Sequence, residues 1–82
     1  MDTNKKLMVY GTSWCPDCVR SKRFLSDNGV EYSWINIEDN PDSADIVRHL
    51  NKGLQIVPTI VLPNGKVLAE PSNIELKDAL GI

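Results

Sequence analysis

Four apolar residues in succession, Leu7-Met8-Val9-Tyr10, end at Gly11 and are closely followed by Pro16 and a helical pattern. A run this short is a strand rather than a helix. Being apolar at every position, it is expected to be buried on both faces, which calls for a sheet covered by helices. Pro16 suits the first turn of a helix, where its missing N–H is no loss. Val19, Phe24 and Leu25 then recur at roughly helical spacing, and Asp27-Asn28-Gly29 supplies a stop with Gly29 as the left-handed residue beyond the cap. A helix from about Pro16 to Asn28 is predicted. Glu31 to Ile37 alternates and carries aromatic and β-branched residues, the pattern of a second strand. Strand, helix and strand in this order ask for a right-handed parallel crossover.

The rest of the chain is punctuated as clearly. Asn40-Pro41 reads as an N-cap followed by an N1 proline, and Ala44, Val47 and Leu50 set an apolar stripe that runs to about Asn51, with Lys52-Gly53 ending the helix. Thr59 to Leu62 and Lys66 to Ala69 read as strands joined by a tight turn at Pro63-Asn64-Gly65. Ser72-Asn73-Ile74-Glu75 matches a capping box, opening a last helix that ends near Leu80 with Gly81 behind it. The expected order is β-α-β-α-β-β-α: an α/β fold with a four-stranded mixed sheet flanked by three helices, as one domain over residues 1–82. No repeat or low-complexity stretch interrupts it, and the stretch from Met1 to Lys5 is expected to be loose.

Composition narrows the partners. Nine basic against eleven acidic side chains give a net charge of −2, which excludes a nucleic-acid binder driven by phosphate neutralisation. No apolar run approaches the roughly 20 residues of a membrane span, and no charged-then-apolar leader opens the chain. A soluble, cytoplasmic protein is expected, and no feature argues against a monomer.

Both cysteines lie in one window, Trp14-Cys15-Pro16-Asp17-Cys18. A disulfide framework would spread several cysteines along the chain, and a bridge across so small a loop constrains the unfolded state little. The pair suits chemistry better than support. Cys15 falls where the first strand gives way to the first helix, and the unpaired N–H groups and positive dipole end there favour an anion. Hydrogen bonding from the N–H of Asp17 or from the Cys18 thiol is expected to add to that dipole. Cys18, three residues on and deeper, suits a resolving thiol that attacks a mixed disulfide at Cys15. Half of a zinc site is the other reading of Cys-X-X-Cys, but zinc takes four ligands and His49 is the only histidine. No metal site is expected, and His49 is read as a surface or partly packed helix residue.

Val57-Pro58-Thr59 stands just before a strand, where proline belongs because it cannot donate to the ladder. A trans proline that merely starts the strand is one reading. With a Cys-X-X-Cys in the same chain, we favour a cis Val57-Pro58 bond that exposes the Val57 backbone to an extended partner. Trp14, beside the nucleophile, is read as a wall of a substrate groove rather than a ring packed on its loop. Arg20, Lys22 and Arg23 read as a solvated helix face, and Tyr32 and Trp34 as packing residues.

Thr12-Ser13-Trp14-Cys15-Pro16-Asp17-Cys18 after a first strand, Val57-Pro58-Thr59 before a third, and the seven-element order together resemble the glutaredoxin branch of the thioredoxin fold. The resemblance runs from about Leu7 to Leu80. Val67-Leu68-Ala69-Glu70-Pro71-Ser72-Asn73 looks most like the mycoredoxin-type members, which serve mycothiol rather than glutathione. The resemblance implies that Cys15 is the nucleophile and Cys18 the resolving thiol, that Pro58 is cis, and that the Val57 backbone holds the cysteine-like part of a small thiol. It implies that Ser72 and Asn73 offer N–H groups to a carboxylate of that thiol, as a helix N-terminus can. Asp17 stands where Tyr is common, and Glu70-Pro71 replaces the Gly-Gly of glutathione-using members; both departures point away from glutathione.

The function so implied is reduction of mixed disulfides between client proteins and a low-molecular-weight thiol, mycothiol or glutathione, which acts as co-substrate with no tightly bound cofactor. A disulfide reductase could supply the electrons. Two rivals are an electron donor to ribonucleotide reductase fed by thioredoxin reductase, and a copper chaperone. The first usually carries a Trp-Ser-Gly-Phe-type ending that this chain lacks. The second binds copper through soft thiolates, but its fold runs β-α-β-β-α-β and ends in a strand.

Overall fold

The computed structural model describes residues 6–82, so the stretch from Met1 to Lys5 lies outside it. Its elements are β1 (Leu7–Gly11), α1 (Pro16–Asp27), β2 (Tyr32–Asn36), α2 (Pro41–Leu50), β3 (Thr59–Val61), β4 (Val67–Ala69) and α3 (Asn73–Leu80). The expected order holds, with ends shifted by a residue or so. The strands form one mixed sheet in the order β2-β1-β3-β4. β1 runs parallel to β2, while β1/β3 and β3/β4 are antiparallel.

Alternation along the strands builds two cores. Leu7, Val9, Ile60 and Leu62 point to one face, where Leu25 of α1 and Leu76 of α3 close over them, with Tyr32 and Trp34 packed alongside. Tyr10 and Ile37 point to the other face with Met8, Ile35 and Val61, and meet Val47 and Ala44 of α2. β1 therefore has helices on both sides, as its unbroken apolar run required. Tyr32 and Trp34 serve as packing residues, as read from the sequence.

Local chemistry sets the ends of the helices. α1 closes with Gly29 at φ +68°, where the Gly29 N–H donates to Ser26 O and the Val30 N–H to Leu25 O at 2.9 Å; this is a Schellman motif. The capping box of α3 forms as expected, with Ser72 Oγ accepting from the Glu75 N–H and the Glu75 carboxylate accepting from the Ser72 N–H. Asn64 Oδ1 accepts the Lys66 N–H in the β3–β4 turn, and Gly65 takes φ +92° there.

Two readings of the sequence need correction. Val19 is not part of the buried stripe of α1: it is 51% exposed, and the inward residues are Cys18, Ser21 and Leu25. Turning Cys18 inward rotates its neighbour by about 100°, which puts Val19 outside. Asn40 occupies the N-cap position of α2, but its side chain makes no cap bond. Its amide instead donates to Asn36 O, and the Asn40 carbonyl accepts from Ser43 and Ala44.

Candidate active site

α1 begins at a sulfur. Cys15 is its N-cap residue, with φ −80° and ψ 117°, and Cys15 Sγ accepts the Cys18 N–H at 3.4 Å. Pro16 at the first helical position has no N–H to offer. Cap acceptors reach the second or third helical residue, and here the third does it. The backbone donor is therefore Cys18 rather than Asp17, and the Cys18 thiol adds the side-chain hydrogen bond to Cys15 that the sequence suggested. Cys15 is 7% exposed. Its thiol faces the carbonyl oxygen of Val57 at 3.9 Å, and the Val57-Pro58 bond is cis. Both cysteines are free thiols.

Cys18 lies beneath, with no exposure at all. Burial pushes its thiol up to about 12; the neighbouring Cys15 adds to the rise, while the Thr12 backbone N–H and the Lys22 charge work against it. The floor of this pocket is Gly11. A Cβ there would stand 2.5 Å from Cys18 Sγ and 3.0 Å from two ring carbons of Trp34, so the position has room only for hydrogen. Thr12 Oγ1 and Ser21 Oγ are buried without hydrogen-bond partners.

Of the residues singled out in the sequence, Val57 meets the Cys15 sulfur and Trp14 and Asp17 flank it along the chain, while Ser72 and Asn73 lie in the segment that Arg20 joins to α1. Trp14 stands 67% exposed beside Cys15, its indole N–H donating to Glu38 at 3.0 Å. The ring is exposed and is not a buried packing residue. Asp17 is exposed on the first turn of α1, with the Arg20 guanidinium 3.7 Å away. The start of α3 comes to the same edge through Arg20, which donates to Asn73 Oδ1 at 2.6 Å and to Pro71 O at 3.0 Å. Arg20, read from the sequence as part of a solvated face, is thus a clamp between α1 and the segment before α3. An open groove of about 420 Å³ lies there, lined by Arg20, Glu70, Ser72, Asn73, Ile74 and Glu75.

The expectation that Ser72 presents its N–H to a ligand carboxylate is corrected: that N–H donates to Glu75 Oε1 at 2.8 Å. The Ser72 N–H and hydroxyl hold the Glu75 carboxyl below its usual range, so the first turn of α3 keeps its own negative charge. Among the described residues, no group of three His, Cys, Asp or Glu side chains gathers as a metal site would require, and His49 sits exposed on α2. No helix of the described residues is long and apolar enough to cross a membrane.

Residues 7–68 match the glutaredoxin family model. The chain belongs to the glutaredoxin family. A Mycobacterium tuberculosis protein named as a glutaredoxin is 39% identical over 74 residues, covering 90% of this chain and 88% of that protein. Mycoredoxin 1 of Corynebacterium glutamicum is 31% identical over 68 residues, covering 83% of this chain and 84% of the other. The crystal structure of a glutaredoxin from Archaeoglobus fulgidus superposes with a TM-score of 0.79 at 26% identity, covering 96% of this chain and 89% of that one. Like its family, this glutaredoxin is a thiol–disulfide oxidoreductase with the thioredoxin-like fold.

Four residues of the site carried little signal in the sequence. Gly11 and Thr12 precede the motif and bear no reactive group. Glu38 is an ordinary loop carboxylate until the fold brings it to Trp14, 24 residues away. Arg20 reads as one basic residue of three on a helix; only its contact across 53 residues gives it a role.

Proposed function

We propose that this single-domain glutaredoxin reduces mixed disulfides between cytoplasmic proteins and a small thiol, acting as a monomer. Cys15 attacks the mixed disulfide, takes the small thiol onto its sulfur and frees the client protein. A second small thiol, or Cys18, then clears Cys15. No metal or organic cofactor takes part; the small thiol is a co-substrate. The observation that carries this reading is the placement of Cys15 Sγ at the first turn of α1, on the Cys18 N–H and facing the Val57 backbone, with Cys18 directly beneath.

The preferred co-substrate is a small thiol without carboxylates, such as mycothiol. Asp17 stands two residues beyond Cys15, Glu70 and Glu75 line the groove by α3, and the Arg20 guanidinium is already engaged by Asn73 and Pro71. Three carboxylates against one guanidinium so arranged disfavour an anionic ligand by repulsion. Trp14 and the Val57 backbone remain to hold the cysteine-like part, and Asn73 to meet polar groups beyond it. The similarity to a mycoredoxin points the same way.

Reduction of one model protein, loaded in turn with mycothiol and with glutathione, tests this. A rate at least about tenfold higher for the mycothiol adduct is expected, equivalent to roughly 1.4 kcal/mol of discrimination. Equal rates would remove the charge argument. Turnover with thioredoxin reductase and NADPH alone, needing no small thiol, would replace this reading with that of a directly reduced electron donor.

A further inference from the structure

The buried sulfur has one cation placed near it. Cys18 is closed in by Gly11 and Thr12 at the end of β1 and by the ring of Trp34 on β2, whose outer carbons and Cys18 Sγ converge on the bare Cα of Gly11. Lys22 lies one helical turn beyond Cys18 on α1. Its ammonium sits over the Trp34 ring, 3.7 Å from the centroid. A cation in that position is attracted by the ring face, so the charge is held above the same ring that closes on Gly11 together with Cys18 Sγ. The titratable groups acting on Cys18 are Cys15 and Lys22, both on α1. From the strand side, Gly11, Thr12 and Trp34 bring no ionisable group.

We propose that Lys22, held on the Trp34 ring, is a positioning residue for the second half of the reaction: its charge stabilises the Cys18 thiolate as it forms and so sets how fast the dithiol closes. The inference rests on the proposed role of Cys18 as the resolving thiol. In that step Cys18 Sγ gives up its proton and attacks Cys15 Sγ of the mixed disulfide. The Cys15–Cys18 bond forms, the bond to the small thiol breaks, and the small thiol leaves as a thiolate that takes up a proton. Cys18 Sγ rises from thiol to disulfide level while the sulfur of the departing thiol falls from disulfide to thiol level, and Cys15 Sγ stays at the disulfide level throughout. A fully buried sulfur ionises reluctantly, and it has no neighbouring carboxylate or imidazole to serve as base among the residues that enclose it. The Thr12 backbone N–H favours the thiolate from the strand side, and the Lys22 charge is the side-chain contribution that adds to it.

Two substitutions separate charge from packing. Lys22→Met keeps an apolar stem over Trp34 and removes the charge; Lys22→Arg keeps both. With the protein loaded at Cys15 with glutathione as probe, the rate of glutathione release is followed against pH. Lys22→Met is expected to slow closure at neutral pH by about three- to tenfold and to move the pH profile upward by about half to one unit. Lys22→Arg is expected to stay within about twofold of the parent. Iodoacetamide alkylation of Cys18 in a Cys15→Ser background reads the same ionisation without any turnover, and is expected to slow by the same factor in Lys22→Met. Unchanged alkylation and closure in Lys22→Met would overturn the inference, as would equal slowing of the first attack by Cys15 in a Cys18→Ser background. Failure of Cys15 to accept either glutathione or mycothiol would count against the proposed function, while the alkylation series would still decide the role of Lys22.

Discussion

Substituting Gly11 by Ala is the sharpest test of how the two sulfurs are packed. Gly11 lies in β1 without a positive φ, so its backbone is one that alanine adopts readily. On those grounds alone, Gly11→Ala would stabilise the protein by about 0.4–1 kcal/mol, through the unfolded chain. The added Cβ, however, falls 2.5 Å from Cys18 Sγ and 3.0 Å from two carbons of the Trp34 ring. Non-bonded heavy atoms settle near 3.5–4.0 Å, so the sulfur must retreat by about 1 Å. It has nowhere to go: Cys18 is fully buried and its helix is fixed by Leu25 in the core. Overpacking of this kind costs about 1–3 kcal/mol. The net expectation is a loss near 1.5 kcal/mol. In a domain of this size that lowers the melting temperature by about 6–12 °C. Thermal unfolding of the reduced protein measures it, and a double-mutant cycle with Cys18→Ala assigns it, because removing the sulfur should relieve at least about 1 kcal/mol of the loss. A Gly11→Ala protein that melts higher than the parent, or a cycle additive within about 0.5 kcal/mol, would refute the close approach.

Other perturbations have equally definite signs. Ser21→Ala removes a buried hydroxyl that lacks a partner and places a better helix former in α1, so it should stabilise by about 1 kcal/mol, read from urea unfolding. Lys52 holds φ +58° just beyond α2 on an exposed surface; Lys52→Gly should add about 0.5–1 kcal/mol by the same measurement. The Glu75 carboxyl is lowered in the folded protein by the Ser72 N–H and hydroxyl, so its contribution is full above the ordinary value of 4.5 and is lost as pH falls through the folded one. Melting curves from pH 6 downward should therefore fall less steeply below about pH 4.5 in Glu75→Gln than in the parent, after the constant loss of one charge; parallel curves would contradict the capping-box account.

Much of this molecule could be read from its residues, and the reasons are local. β1 was legible because apolar side chains at every position leave a strand no exposed face. α3 was legible because Ser72 and Glu75 satisfy each other at fixed spacing. Cys15 and Cys18 were legible because their spacing puts both on one helical turn at a dipole end. Contacts made across the chain were not legible. The fold alone brings Arg20 to Asn73 and Pro71, Glu38 to Trp14, and Lys22 to Trp34. Val19 was misplaced for a related reason. Apolar spacing counts hydrophobic residues, whereas the inward face of α1 is set by two small polarisable or polar residues, Cys18 and Ser21, that a hydrophobic pattern passes over.

Mapping which sulfur takes up the small thiol tests the redox account most directly. A protein mixed disulfide is incubated with the Cys18→Ser and Cys15→Ser variants, and the adduct is located by mass spectrometry while the client is followed for release. The account predicts the adduct on Cys15 in Cys18→Ser, with client release retained, and neither adduct nor release in Cys15→Ser. An adduct on Cys18, or client release undiminished without Cys15, would contradict it.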